Sequence, residues 1–127
     1  MTIEDAIKQT KPFKNEYQRA MVNLMFTTTY VKEKLKKTLK PFGVTIQQYN
    51  VLRILKGAGK PITTSVIRER LMDKMSDTSR MVERLFQKGL VNREPCPSDK
   101  RLVDVSLSEK GYELLDLVTS VSDEFDQ

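Results

Sequence analysis

The chain has 127 residues and a net charge of +5, with 31% charged and 39% hydrophobic residues. That is one domain's length of globular sequence, and no apolar run approaches the roughly 20 residues of a membrane span. There is no histidine and one cysteine, Cys96, so the usual general base, the commonest metal ligand and any internal disulfide are excluded. No glycine-rich phosphate loop and no C-x-x-C occurs, so no cofactor, metal or catalytic residue is expected and an enzyme is disfavoured. The N-terminus holds two early acids and no apolar stretch, which argues against a signal peptide and for a cytoplasmic location.

The charge is uneven. Residues 1–101 are basic on balance, whereas residues 102–127 hold one cation and seven acids. A basic body suits a polyanion partner; a solvated surface with an acidic last helix is the plain alternative.

The elements follow in order. Ile3–Gln9 reads as a short helix behind Thr2. The first long helix starts at Asn15, with Gln18 as its capping-box partner, and stops at Pro41. Tyr17, Met21, Leu24, Thr28, Val31 and Leu35 form a heptad seam within it. Met21 and Met25 are core filler or the border of a ligand cavity. The lysines of Lys32–Lys40 are a solvated helix end or a contact to acidic partners.

The second helix lies within Gly43–Gly59. Thr45 and Gln48 form its capping box, Ile46, Tyr49, Leu52 and Leu55 its buried stripe, and Gly57 and Gly59 its end. A third, short helix follows Pro61, capped by Thr63 or Thr64, with Val66, Ile67 and Leu71 facing inward. Asp73–Met75 is a tight turn.

The fourth helix, Ser76–Lys88, is capped by Ser76, carries Asp77 in its first turn and stops at Gly89. At 3.6 residues per turn, Met81, Val82, Leu85 and Phe86 share an inner face that also holds Thr78. Ser76, Arg80, Glu83, Arg84 and Gln87 share the outer one. Leu90–Glu94 and Arg101–Leu107 read as strands joined by Pro95–Lys100, and Val103, Val105 and Leu107 alternate onto one face. Ser108 caps a last helix with a wide apolar stripe of Leu114, Leu115, Leu117, Val118, Val121 and Phe125. It reaches Gln127 without a glycine or proline stop, as an element that continues would.

A short helix, a tight turn and a two-faced helix make a helix-turn-helix, and the hairpin after it makes a wing. A helix fits the major groove of DNA, and a cationic hairpin reaches the adjacent minor groove. The loop "PCPSDKR" supplies Lys100 and Arg101 for that purpose. Asp99 and Arg101, two apart, share a side of the strand, so Asp99 is expected to hold and orient Arg101 by a forked hydrogen bond.

"RLFQKGLVNREPCPSDKRLVDVSLSEKG" resembles the signature of the MarR family of winged helix-turn-helix regulators. The matching elements are Leu85, Lys88–Val91, Arg93, Asp99 with Arg101, and Leu107–Gly111. The likeness extends upstream through "TIQQYNVLRIL". It implies a mainly α chain with a small β-hairpin, an α+β winged helix-turn-helix over about 45–107. Dimerisation helices at about 15–40 and 109–127 would flank it in a single domain of 1–127. It also implies a homodimer that binds pseudo-palindromic operator DNA, usually as a repressor. A small-molecule effector is allowed as a further partner but not named; a membrane partner is not expected.

The residues expected at DNA are Thr64, Ser65, Ser76, Asp77, Ser79, Arg80, Arg84, Lys100 and Arg101. Thr64, Ser65, Ser76, Asp77 and Ser79 serve equally well as caps or packing groups; Arg68 is a weaker candidate. The residues expected at the dimer seam are Tyr17, Met21, Leu24, Val31, Leu35, Leu115, Val118 and Phe125. Cys96 is expected to be a spectator, because no second cysteine can resolve a sulfenic acid. The alternative to a DNA binder is a winged-helix module that binds protein instead.

Overall fold

The computed structural model describes residues 15–71 and 77–125, with side chains through Val121. The expected helix at Ile3–Gln9, the turn at Asp73–Met75 and the cap at Ser76 lie outside the described residues. The chain forms two compact units, residues 1–37 and 38–127.

The first unit is described by α1, Glu16–Leu39, through Lys37. Asn15 Oδ1 accepts the backbone N–H of Gln18 at 2.7 Å, the start the sequence predicts. The heptad seam lies bare. Tyr17 is 75% exposed, Leu24 64% and Val31 53%, with Met21 also exposed and Leu35 half-buried.

The second unit starts with the end of α1 and a 3-10 turn, Lys40–Phe42, where Pro41 can sit without breaking a helical bond. Next come α2 (Ile46–Ala58), β1 (Ile62–Thr63), α3 (Thr64–Arg70), α4 (Thr78–Gln87), β2 (Val91–Pro95), β3 (Val103–Leu107) and α5 (Glu109–Phe125). The three strands form one antiparallel sheet in the order β1-β3-β2. β1 pairs Ile62 with Val105 and Thr63 with Asp104, and the sequence gives no sign of it: a two-residue strand has no period. Both hairpin strands shift by one or two residues from expectation, because the turn occupies residues 96–102.

α2 carries the full capping box. Thr45 Oγ1 accepts Gln48 N at 3.1 Å, and Gln48 Oε1 accepts Thr45 N at 3.2 Å. Its buried residues are Gln48, Val51, Leu52 and Leu55. Ile46 and Tyr49, expected in that stripe, are only half-buried, and Val51 takes the space. Gly57 stays inside the helix; the stop is Gly59, at φ 65°. Thr63, not Thr64, caps α3 through Val66 N. Ile67 and Leu71 are buried and Val66 is half-buried.

The core of this unit is Leu39, Val51, Leu52, Leu55, Ile67, Val82, Leu85, Val105, Leu115 and Val118 with their neighbours. Leu115 (3%) and Val118 (0%) were expected at a dimer seam, but the chain buries them in its own core. Among the described side chains of α5, Leu117, at 55%, and Tyr112, at 44%, are the large hydrophobic ones left exposed. Leu114, Leu115 and Val118, half of the expected stripe, serve the core. The Phe125 side chain lies outside the described residues.

Gly111 is fixed by close approach, since a Cβ there would collide with the Leu90 carbonyl and lie 3.0 Å from Leu107 Cδ2. Gly57 is open, with nothing within 4 Å. Gly111→Ala is therefore expected to destabilise the chain by about 1–3 kcal/mol. Gly57→Ala should stabilise it by about 0.5–1 kcal/mol. Urea unfolding of both variants checks this; equal midpoints would contradict the packing described at Leu90.

Candidate nucleic-acid interface

α4 is two-faced because its apolar residues recur one turn apart. Thr78, Val82 and Leu85 are buried, and Ser79, Arg80, Arg84 and Gln87 are exposed. Asp77 caps the helix, its Oδ1 accepting Arg80 N at 3.1 Å, so the helix starts later than the expected Ser76. Phe86, expected on the inner face, is 42% exposed. Among the described residues, no hydrogen-bond partner reaches the buried Thr78 hydroxyl.

The C-terminal end of α4 is closed by a Schellman motif. Gly89 N donates to Phe86 O at 2.9 Å and Leu90 N to Leu85 O at 3.0 Å, with Gly89 at φ 76°. Residues of the "LSEKG" stretch then tie down the carbonyls that follow. Ser108 Oγ donates to Gly89 O at 2.6 Å, Ser108 N to Leu90 O at 3.1 Å and Lys110 Nζ to Lys88 O at 3.0 Å. Ser108 Oγ also accepts Gly111 N at 3.1 Å, as the expected cap of α5. From the other side, Lys88 Nζ donates to Gly43 O and to Gln48 Oε1 at 2.8 Å.

With the helix held this way, Arg80 and Arg84 sit one turn apart on its free face. With Thr45, Gln47, Gln48, Asp77 and Met81 they line a cleft of about 260 Å³ beside the start of α2. Glu83, the obvious neighbour for either arginine, is engaged elsewhere. It pairs with Arg93 of β2 and accepts Gln87 Nε2 at 3.3 Å. The Arg93 guanidinium also lies 3.9 Å over the Phe86 ring. The sequence identifies Arg93 only as part of a motif and gives no sign of this contact, which joins residues on different elements. Such partly exposed pairs and ring contacts contribute about 0.2–1 kcal/mol each to stability.

The wing turn is set by Cys96 N to Leu102 O and Leu102 N to Asp99 O, both 3.0 Å. Asp99 holds Arg101 as expected. Its Oδ1 accepts Arg101 Nε at 3.1 Å and Arg101 N at 3.0 Å, and its Oδ2 accepts an Nη2 hydrogen at 3.0 Å. Two of the five guanidinium hydrogens are used, so three remain for a partner. The Arg101 side chain is 89% exposed, and Lys100 is exposed beside it. The bonds from Arg101, side chain first and backbone second, hold the Asp99 carboxyl below the usual carboxylate range; Asp99 raises the Arg101 guanidinium in turn.

Cys96 is buried, with Sγ 3.2 Å from Ser98 Oγ. Thr64 is half-buried and Ser65 exposed at the start of α3. The structure places Ser79, Arg80 and Arg84 on α4, with Asp77 as its cap, and Asp99, Lys100 and Arg101 on the wing. Ser76 lies outside the described residues. Among the described residues, no group of His, Cys, Asp and Glu could hold a metal ion, and no helix is long and apolar enough to cross a membrane.

The lowered Asp99 pKa carries a sign. A carboxyl depressed in the folded state keeps its pairing above its unfolded pKa and loses it as pH falls through the folded value. The Arg101 Nε–H resonance should therefore stay constant from pH 7 to about 4 and move only below that. A midpoint above about 4 would contradict the clamp.

Comparison with known proteins agrees with this geometry. Residues 44–103 match the model of the MarR family. An uncharacterized HTH-type transcriptional regulator, YhbI of Bacillus subtilis, is 31% identical over 80% of this chain and 70% of its own length. The HTH-type transcriptional repressor MdtR of the same organism is 35% identical over 64% of this chain, which spans about half of that relative (52%). The crystal structure of a mutant MarR from E. coli complexed with operator DNA is similar with a TM-score of 0.67 and 30% identity. That match covers 77% of this chain and 70% of that one. The chain belongs to the MarR family of winged-helix transcriptional regulators, and is not an enzyme.

Proposed function

We propose that the chain is a homodimeric repressor that binds a pseudo-palindromic operator. α4 enters the major groove, and Arg101 of the wing enters the flanking minor groove. The observation that carries this is the Asp99–Arg101 clamp: a guanidinium held by a fork at the tip of a hairpin, with three donors left over. The bare apolar face of α1 supports the dimer, since Tyr17, Leu24 and Val31 otherwise face water. The repressor role is supported by the relative that bears that description. A role on DNA supports a cytoplasmic location.

Effector control is supported by a cleft of about 620 Å³ lined by Tyr49, Arg53, Lys56, Gly57, Leu115 and Thr119. Lys56 pairs with Asp116 at 3.7 Å and Arg53 lies 5.9 Å over the Tyr49 ring, so a small organic anion would compete with Asp116 for the Lys56 ammonium. A ligand there would act by changing the spacing of the two recognition helices.

Selection from a random duplex pool tests the operator. Bound sequences should contain an inverted repeat with half-sites about one turn, roughly 34 Å, apart. No enrichment, together with binding to a protein partner, would favour the protein-interaction alternative. Leu24→Lys should weaken dimerisation and operator binding together, as read by light scattering and gel shift. If it weakens neither, α1 is not the interface.

The arginines divide by role. Arg80→Ala or Arg84→Ala should cost about 1–3 kcal/mol on the selected site if the residue reaches a base edge, and less on scrambled duplex. On the wing, Arg101→Ala should lose most and Arg101→Lys recover only part. Asp99→Ala should weaken binding although it removes a negative charge near DNA. Tighter binding by Asp99→Ala at every salt concentration would show that Asp99 does not position Arg101.

A further inference from the structure

The recognition helix and the wing carry separate cations, and the chain alone does not require them to act together. A turn at Gly89 and a strand lie between them. Arg93 spans that gap. It is the third residue of β2, opposite Val105 in the ladder, and half-buried. Its guanidinium lies 3.9 Å over the Phe86 ring and pairs with the Glu83 carboxylate. Glu83 and Phe86 are three apart, neighbours on the surface of α4. A planar group gripped on its face by a ring and at its edge by a carboxylate is fixed in both position and tilt. Gln87 steadies the carboxylate in turn. The exposure of Phe86 is explained by this use: the ring is a platform for the strand's arginine.

From Arg93, two ladder steps, Glu94 with Asp104 and Pro95 with Val103, lead to the turn that holds Asp99 and Arg101. We infer that Arg93 is a positioning residue, the joint that sets the angle between the wing and the recognition helix. Through it Arg101 and the α4 arginines engage one duplex as a single rigid body. This rests on the duplex-binding function proposed above. Two contacts on a rigid body help each other, because making the first places the second. With a loose joint, each contact must order the wing separately.

Simple electrostatics makes the opposite forecast. If Arg93 were only a cation near phosphate, Arg93→Lys would be nearly neutral, and Glu83→Gln would tighten binding by removing a negative charge. A joint requires that Glu83→Gln weaken binding. It also requires that Arg93→Lys fail to replace the arginine, since an ammonium has no plane to stack.

The test uses the full chain and a duplex selected by it from a random pool. Affinities are measured for Arg84→Ala, Arg101→Ala and the double variant, each in the native and the Glu83→Gln background. In the native background, the double loss should depart from the product of the single losses by about fivefold or more. With Glu83→Gln that factor should fall to within about twofold. Hydroxyl-radical protection should fade at the minor-groove flanks and persist over the half-sites, with little change in thermal midpoint. Arg93→Lys should behave like Glu83→Gln. Phe86→Leu, at an exposed position, is the second variant, and should loosen the coupling even if Glu83→Gln proves unstable. Additive losses in the native chain would overturn the inference. So would coupling and flank protection that survive both Glu83→Gln and Phe86→Leu, or tighter binding by Glu83→Gln. A native chain that binds no duplex at all would overturn the binding function and the joint with it. That result is distinct from binding with additive losses.

Discussion

The carbonyl groups at the C-terminal end of α4 are where this unit is tied together. Lys88 O, Gly89 O and Leu90 O receive Lys110 Nζ, Ser108 Oγ and Ser108 N, and Gly111 lets the backbone of α5 pass against Leu90. On the other side, the Lys88 ammonium reaches Gly43 O and the buried Gln48, whose own amide oxygen closes the cap of α2. Each such bond has a modest net worth, about 0.5–1.5 kcal/mol. Their value lies in geometry: α2, α4, β2 and α5 converge on one turn, so the tilt of α4 is set at its inner end. Among the described residues, Arg80 and Arg84 on its outward face take no part in those bonds.

A division of labour follows. The residues that make the family recognisable, Lys88–Val91 and Leu107–Gly111, are largely scaffold. They cap, close and buttress the helix. The cations offered to a partner sit elsewhere, on the outer face of α4 and at the wing tip. Asp99 belongs to neither group alone, because its carboxylate points a neighbouring cation outward. The same holds for Glu83, which is removed from the arginines of its own helix by Arg93. Taking that acid away leaves the α4 face more positive than its sequence suggests.

Local features were mostly legible and non-local ones were not. The Thr45–Gln48 box, the Ser108 cap, the Gly89 stop and the Asp99–Arg101 fork all join residues two to five apart, so spacing alone reveals them. Burial of Thr78 followed from helical period. Most of the failures share one cause, a partner distant in sequence. Leu115 and Val118 looked like interface because an apolar stripe does not say which surface covers it, and here the chain's own core does. Phe86 looked buried for want of knowing that Arg93 would lie on it. β1 was unreadable because its pairing partner lies some forty residues away. The cap of α4 moved from Ser76 to Asp77 because two good capping residues stood side by side, and sequence gives no rule for choosing between them.

The central claim is that α4 and the wing present cations to the phosphate backbone and grooves of one duplex. Its most direct test is the salt dependence of binding to a selected operator, for the native chain and for Arg101→Ala. The slope of log affinity against log salt should be steep, at about −0.9 for each phosphate neutralised. Loss of one wing arginine per protomer should make it shallower by about two units in a dimer. Binding that ignores salt, or a slope that Arg101→Ala leaves unchanged, would contradict the account.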